Sequence, residues 1–355
     1  MNNLQLDLLF YNILVRIRSE DQEILQRVES DFSYFVNDNQ DLQATAYLDI
    51  LALRRPVDYA NLPPLKATVY TPRNICFSKD DTTYIDYFGK ALSIYDRKGN
   101  SLEIYCEGLN LLHEIIYLSI LSRVSEGLEK HRMHRVHALA VQSEGEAALF
   151  MMPSGCGKTT LALQILQQDT PYRLISEDSP LINAEGEVLP FPLRFGVLGH
   201  PPESIPQEHI TYFERMEFEP KYLISLKAFG DSISKGPTLP RFLFIGDRLL
   251  NGKCRIQEVG YFAGFKGLLR HMIVGIGLYQ GLEFLLRSSV LDLWRMTGIC
   301  WSRVRRAHTL LRQSRIFTLE LGRDPLKNTE EILCFLETER FGHANTVVSK
   351  SNGAG

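Results

Sequence analysis

An α/β fold of mixed sheets, β-rich at the front and helical at the back, is what this sequence predicts. Three observations carry that expectation. The first 110 residues hold repeated runs of β-branched and aromatic residues divided by polar turns. A buried strand then passes through a small-residue loop into an amphipathic helix, FMMPSGCGKTTLALQIL from Phe150. Residues 261–313 turn helical, apolar and rich in arginine. The expected divisions are a β-rich N-terminal part over 1–110, a core around the loop over 111–260, a helical C-terminal region over 261–342, and a small, polar, disordered tail over 343–355.

The elements follow in chain order. LLFYNILVRIR, residues 8–18, reads as a strand, and a helix starts behind Ser19 with Asp21 and Glu23 in its first turn. Polar runs and prolines make 37–64 loops. ATVYTPRNICFS, TTYIDYFGKALSIYD and SLEIYCEG read as three strands, with KDD and DRKGN as the turns between them. NLLHEIIYLSILSRVSEGLEKH from Asn110 is a long amphipathic helix. RVHALAVQ, a SEGE turn and AALFMM form a hairpin that delivers the loop, and LALQILQQ is the helix after it. YRLISED and RFLFIGDRL are further strands, with more within PLINAEGEVLPFPLRFGVL around its Glu-Gly turn. SRIFTLELG is a late strand and TEEILCFLETE a final helix.

Bulk composition excludes several classes. A net charge of −3 gives no field suited to nucleic acid. The six cysteines (Cys76, Cys106, Cys156, Cys254, Cys300, Cys334) form no CxxC pair, so neither a structural zinc site nor a disulfide framework is indicated. The apolar stretch from Met272 contains Gln280 and Glu283 and falls short of a bilayer span, and the N-terminus lacks the pattern of a signal peptide. The expectation is a cytoplasmic protein with reduced thiols, without nucleic acid or membrane partners, and with homo-oligomerisation left open.

The chemistry concentrates at the loop. Phosphate binding needs a strand to deliver the chain, small residues so that backbone N–H groups can close on oxygen, and a helix N-terminus with its positive dipole end. Ser154, Gly155, Cys156 and Gly157 supply the turn, and Thr159 and Thr160 open the helix. Lys158 is then placed to reach β- and γ-phosphates, and the Thr159 hydroxyl to bind Mg²⁺. A bare GKT means little; GxGKTT between a buried strand and an amphipathic helix is far more specific. Met152 replaces the first glycine of the usual pattern, at the strand exit and away from the phosphate cradle. Glu177 and Asp178 end a buried strand, a position suited to a metal-binding carboxylate beside a general base. His137, on the strand before the loop, is a third candidate.

A strand carrying a histidine, a loop of the form PSGxGKTT and a strand ending in two acids resemble the HPr kinase/phosphorylase family, whose P-loop fold is shared with phosphoenolpyruvate carboxykinase. The resemblance covers roughly residues 133–200. The late LELGRDP and its following helix are similar to HPr-kinase-like peptide kinases of lasso peptide clusters, whose acceptor is a C-terminal serine. The resemblance implies that Gly155, Gly157 and Lys158 bind ATP phosphates and that Thr159 ligates Mg²⁺. It makes Glu177 the base towards a serine hydroxyl, Asp178 a metal helper, and His137 a neighbour of the transferred phosphate. Glu177 departs from the family's aspartate by one methylene. Where the family carries E-x-R-G-x-G, this chain has LPFPLRFGV, so neither HPr as substrate nor phosphorylase activity is implied. Arg194 within that segment is a weaker candidate for contact with phosphate or substrate, as are Lys221 and Arg241 beside prolines. The expected activity is ATP- and Mg²⁺-dependent phosphorylation of a serine hydroxyl on a peptide or protein. The alternatives are a kinase for a small metabolite such as free serine, and a non-catalytic ATP-binding regulator. The arginines between Tyr261 and Gln313, with Trp294 and Trp301, read either as a solvated helical face or as a surface for an acidic peptide.

Overall fold

A computed structural model describes residues 4–37, 47–215, 218–273 and 290–351. It is a mixed α/β structure with several sheets. Contacts group the chain into two compact units. The first takes Met1–Arg135, Pro192–Ile233 and Leu278–Arg303; the second takes Val136–Phe191, Ser234–Gly277 and Val304–Gly355.

The first unit is built on an eight-stranded sheet. Its strands are β1 (Leu4–Phe10), β2 (Ile13–Ser19), β3 (Leu48–Leu53), β4 (Ala67–Tyr70), β5 (Ile75–Lys79), β6 (Thr82–Asp86), β7 (Ala91–Asp96) and β8 (Ser101–Cys106), in the order β1-β2-β3-β8-β7-β6-β5-β4. The run expected as one strand over residues 8–18 is a hairpin: β1 and β2 pair antiparallel, and Tyr11 turns the chain at a φ of 60°. An apolar run without glycine hides such a turn, because a tyrosine in the left-handed region is uncommon. TTYIDYFGKALSIYD likewise splits into β6 and β7, with Phe88 and Gly89 at positive φ between them. ATVY and ICFSK are two antiparallel strands rather than one. The proline-containing stretch expected as loops holds β3, which pairs parallel to both β2 and β8 in mid-sheet.

Helices α1 (Gln22–Asp31) and α2 (Leu109–Lys130) pack on this sheet. Asp21 caps α1 through the Glu23 N–H at 2.9 Å, which satisfies an otherwise orphan donor. Asp31, at the end of α1, is buried with His113 of α2 and with Arg194. His113 Nε2 lies 2.7 Å from Asp31 Oδ2, and the Arg194 guanidinium hydrogen-bonds the same oxygen while lying 3.9 Å over the Tyr117 ring. Burial alone would raise the Asp31 carboxyl; Arg194 and His113 outweigh it and hold it below the usual range. A buried ion pair of this kind adds little net stability, but losing one partner strands a charge. Arg194 therefore ties the segment that contains it to α1 and α2 rather than presenting a free guanidinium, and its expected role towards phosphate gains no support.

In the second unit a six-stranded sheet has the order β12-β10-β11-β18-β20-β19. Numbering continues with β9 (His134–Arg135), β10 (Leu139–Ser143), β11 (Glu146–Met151), β12 (Arg173–Ser176), β13 (Leu181–Ile182), β14 (Val188–Leu189), β15 (Phe195–Val197), β16 (Ile210–Phe213), β17 (Lys221–Ile224), β18 (Leu239–Arg248), β19 (Arg255–Glu258) and β20 (Arg315–Leu321). β15, β17 and β16 form a small antiparallel sheet of the first unit. The helices of the second unit include α3 (Lys158–Gln167) and α4 (Tyr261–Leu268), followed by the C-terminal part of α5 (Val290–Gln313) and by α6 (Pro325–Ser351). The SEGE turn closes β10 onto β11 with Ser143 opposite Glu146 and positive φ at Glu144 and Gly145, a two-residue hairpin turn.

β11, β18 and β20 run parallel, with Phe150 opposite Phe244 and Phe244 opposite Phe317. Alternation along β11 gives the sheet two apolar faces. Ala147, Leu149 and Met151 join Leu243, Leu268, Leu310 and Ile316 in one core. On the other face Phe150 stacks on Phe244 at 4.6 Å, Phe244 on Phe317 at 5.4 Å, and Phe335 of α6 meets Phe317 edge-on at 5.0 Å. Buried aromatic pairs contribute about 0.5–1.5 kcal/mol each beyond their area. This ladder fixes β11 beside β18, and so fixes the exit of the loop.

The helical region from 261 also does internal work. Arg303 donates to Glu129 at 2.8 Å in the first unit, and Arg306 donates to the Ala184 carbonyl in the second. Trp301 is 72% exposed. Arg287 and the side chains of Trp294 and Arg295 lie outside what is described. α6 continues to Ser351, over residues from His343 whose small, polar composition reads as a disordered tail; once nucleated, a helix extends at little cost. Among the described residues no helix is long and apolar enough to cross a membrane.

Replacing Arg194 with methionine leaves Asp31 buried with half its partners. We expect Arg194→Met to destabilise the protein by about 3–5 kcal/mol, and Asp31→Leu in the same chain to recover most of that loss. Urea midpoints for the two variants and the wild type check this; a midpoint unmoved by Arg194→Met would refute the account.

Candidate active site

β11 ends at Met151 and hands the chain to the loop. Gly155 and Gly157 sit at φ of 82° and 104°, in the left-handed region that side chains resist, and Gly157 is the N-cap of α3. A Cβ at either would meet nothing, so backbone conformation rather than crowding selects glycine at both. Met152 is not among the described non-glycine residues at positive φ. The missing first glycine thus costs the backbone nothing. Its side chain is fully buried and continues the phenylalanine ladder by one rung: a Cβ at Gly246 on β18 would lie 2.4 Å from Met152 Cγ and 2.8 Å from its sulfur. The glycine has in effect moved across the sheet, to the strand that faces the methionine.

Lys158 is the first residue of α3 and is only 6% exposed. Its ammonium donates to the Met152 carbonyl at 2.8 Å and to His137 Nε2 at 3.0 Å, and lies 3.9 Å from Asp178 Oδ1. Burial pushes the amine below the ordinary lysine range, while Asp178 and Glu177 pull it back. Because lysine can only donate, the accepting nitrogen of His137 is Nε2, and this assigns the imidazole proton to Nδ1. Nδ1 lies 3.1 Å from Asp178 Oδ1 but is not aligned for a hydrogen bond. His137 lies in a bend two residues ahead of β10, not on the strand as expected, and its N–H donates to the His271 carbonyl at 2.9 Å.

The acidic pair follows β12 directly. Glu177 accepts a hydrogen bond from the Thr159 hydroxyl, and Asp178, 42% exposed at its side chain, faces His137 and Lys158. Both acids lie in the bend after β12, where one meets the start of the helix and the other the histidine. Thr160 is exposed. The Cys156 thiol is raised above the ordinary cysteine range, first by burial and then by Asp247, which argues against a reactive thiolate in the loop.

The structure therefore brings together His137, Lys158, Thr159, Glu177 and Asp178, with Gly155 and Gly157 shaping the loop. One neighbour escaped the sequence reading. His271 is buried and its ring lies parallel to that of His137 at 5.7 Å, with its pKa pushed down to about 4 by burial, by His137 and by Arg270. Nothing local marks it, since it reaches the loop only through the packing of the segment after α4. Lys221 and Arg194 belong to the first unit. Arg241 of the second unit lies 3.9 Å from Glu146, at the opposite end of β11 from the loop.

Among the described residues no three His, Cys, Asp or Glu side chains cluster as a metal-holding set. Mg²⁺ does not require one, since it takes one or two carboxylates with phosphate oxygens and water. The Thr159 hydroxyl against the Glu177 carboxylate is an oxygen pair of the hard kind that suits it. No protein-family model matches this chain, and comparison with curated proteins returned no relative.

If Gly246 exists to admit Met152, the two positions are coupled. Gly246→Ala should cost about 1–3 kcal/mol through overpacking, and most of that should return in Met152→Ala/Gly246→Ala. A double-mutant cycle by thermal or urea unfolding measures the coupling; additive effects would overturn it.

Proposed function

We propose that the second unit is an ATP- and Mg²⁺-dependent phosphotransferase of the HPr-kinase-like, P-loop type, acting on a serine hydroxyl of a peptide or protein. The observation that carries this reading is the meeting of Lys158, Thr159, His137 and the Glu177–Asp178 pair at the start of one helix, from segments up to 41 residues apart. A bare phosphate loop would need no acids and no histidine; in-line transfer needs a held phosphate, a metal and a base.

The loop N–H groups and the α3 dipole supply a binding site for phosphate oxygens. Lys158 adds a cation that is already desolvated, so its field is weakly screened. Mg²⁺, when bound, would neutralise charge on the phosphates. Geometry favours a division of labour between the acids that reverses the one implied by resemblance. Glu177, on the Thr159 hydroxyl, suits the metal side. Asp178, beside the Nδ1 of His137, suits the base that orients and deprotonates the acceptor hydroxyl. His137, bonded to Lys158, holds the ammonium between the loop and Asp178.

The test is phosphoryl transfer from γ-labelled ATP with Mg²⁺ to peptides ending in serine, to free serine and to HPr. Label on a peptide is the expected result, with Lys158→Ala reducing the rate by about 10²–10³-fold. Asp178→Asn should lower kcat by about 10²-fold or more at unchanged Mg²⁺ requirement, whereas Glu177→Gln should raise the Mg²⁺ needed for half-maximal rate. The opposite pattern would return the base to Glu177. Label on free serine alone would replace the acceptor, and ATP binding without transfer to any acceptor would favour a regulator.

A further inference from the structure

The phosphate chemistry leaves aside one cluster of side chains in the first unit, at the end of α2. Arg132 turns the chain out of that helix at a φ of 59°, and the Met133 N–H bonds back to the Leu128 carbonyl at 2.9 Å. The chain so doubled returns His134 to Glu129. His134 is fully buried. Its Nδ1 lies 2.6 Å from Glu129 Oε2, and its Nε2 lies 2.8 Å from the Ser302 hydroxyl on α5. The other oxygen of Glu129 accepts from Arg303 at 2.8 Å. Burial alone would raise the Glu129 carboxyl; the His134 hydrogen bond and Arg303 outweigh it and hold it below the usual range. A carboxylate can only accept, so it puts the imidazole proton on Nδ1, and the neutral ring then offers Nε2 to the serine proton. Hydroxyl, imidazole and carboxylate joined in that order form the relay that activates a serine nucleophile.

We propose that Ser302 is a nucleophilic serine that takes an acyl group from an activated acyl ester or thioester. The inference is independent of the phosphotransferase reading. The Ser302 oxygen attacks the acyl carbon, and its proton passes to His134 Nε2. The bond from the acyl carbon to the leaving oxygen or sulfur breaks, and that atom takes the proton from His134 and departs as an alcohol or thiol. An O-acyl serine and a neutral imidazole remain.

Two observations favour a reactive serine over a simple tether between helices. Hydroxyls within helices often bond the carbonyl one turn back, and Ser125, Thr309, Thr329 and Thr338 do so here. The hydrogen bond of Ser302 is to His134 instead. One turn before Ser302 stands Gly298, which is exposed and where a Cβ would meet nothing within 4 Å. Helical side chains lean towards the preceding turn, so the space beside the Ser302 oxygen is open to a short acyl group. The same helix limits the chemistry. Amides in mid-helix are bonded to carbonyls four residues back, which leaves no pair of N–H groups for the oxyanion that rapid turnover needs. Acylation helped by a base, followed by slow release, leaves the acyl group on the serine.

Treatment of the whole chain with p-nitrophenyl acetate tests this. Peptide mass mapping should find an acetyl ester on Ser302, formed about 10²-fold or more faster than on any other serine. Alkaline hydroxylamine removes an ester and leaves acetyl-lysine, which tells the two apart. Ser302→Ala, a change that suits a helix, should abolish the burst of p-nitrophenolate that accompanies this ester. Glu129→Gln should slow acetylation of Ser302 by about tenfold or more. The comparison among serines uses the wild-type chain, so it decides the matter even where Glu129→Gln unfolds. Ser302 acetylated no faster than the exposed serines, acetyl confined to lysines, or a rate unmoved in folded Glu129→Gln would overturn the proposal and leave the cluster a tether of α5 to α2.

Discussion

A buried ammonium is the constraint on which the candidate site depends. Lys158 opens α3 almost out of contact with water, where an unpartnered cation costs several kcal/mol. It must be given oxygen and nitrogen, and only a few atoms are within reach. The Met152 carbonyl supplies one, which requires the chain at 152 to run deep against the sheet. His137 supplies another, which assigns the proton of its ring. Asp178 contributes charge from slightly further away. Moving any of these groups leaves the lysine short of a partner, so the loop, the bend before β10 and the end of β12 are set together rather than one by one.

That coupling explains what could be read in the sequence and what could not. The loop was legible because its demands are local: two left-handed glycines, a helix start and an apolar strand fall within seventeen residues. The hairpin over SEGE was legible for the same reason. In the first unit the local signals failed where a turn lacked its usual residue, as at Tyr11, or where a central strand was short and flanked by loops, as with β3. β3 is held by parallel partners on both sides, and parallel pairing is a non-local property that no short window contains. His271 and Gly246 were invisible for a deeper version of that reason. Each matters through one long-range neighbour, His137 in one case and Met152 in the other.

Arg194 teaches the converse. In sequence it is an arginine in a segment after an acidic pair, and such a residue invites a phosphate role. Its surroundings are instead a buried carboxylate, an imidazole and a tyrosine face. A guanidinium with that many partners is a structural cation, and the same is true in a weaker form of Arg303 and Arg306. Counting arginines along a helix overestimates the charge that is free to meet a partner.

Two departures then take on physical meaning, one from the usual loop pattern and one in the acidic pair after β12. A methionine in place of the first glycine would be a defect if that position required a left-handed backbone, and it does not. It would be a defect if the side chain had nowhere to go, and Gly246 provides the space. A glutamate in place of an aspartate would misplace a base by about an ångström, enough to matter for rate, if the base were its role. It accepts a hydrogen bond from Thr159, in the first turn of α3. The longer side chain reaches from the bend after β12 to that hydroxyl, while the shorter Asp178 stays close to His137 and Lys158. Glutamate followed by aspartate is then not a weakened pair of aspartates. It is a long arm and a short arm fitted to two different partners.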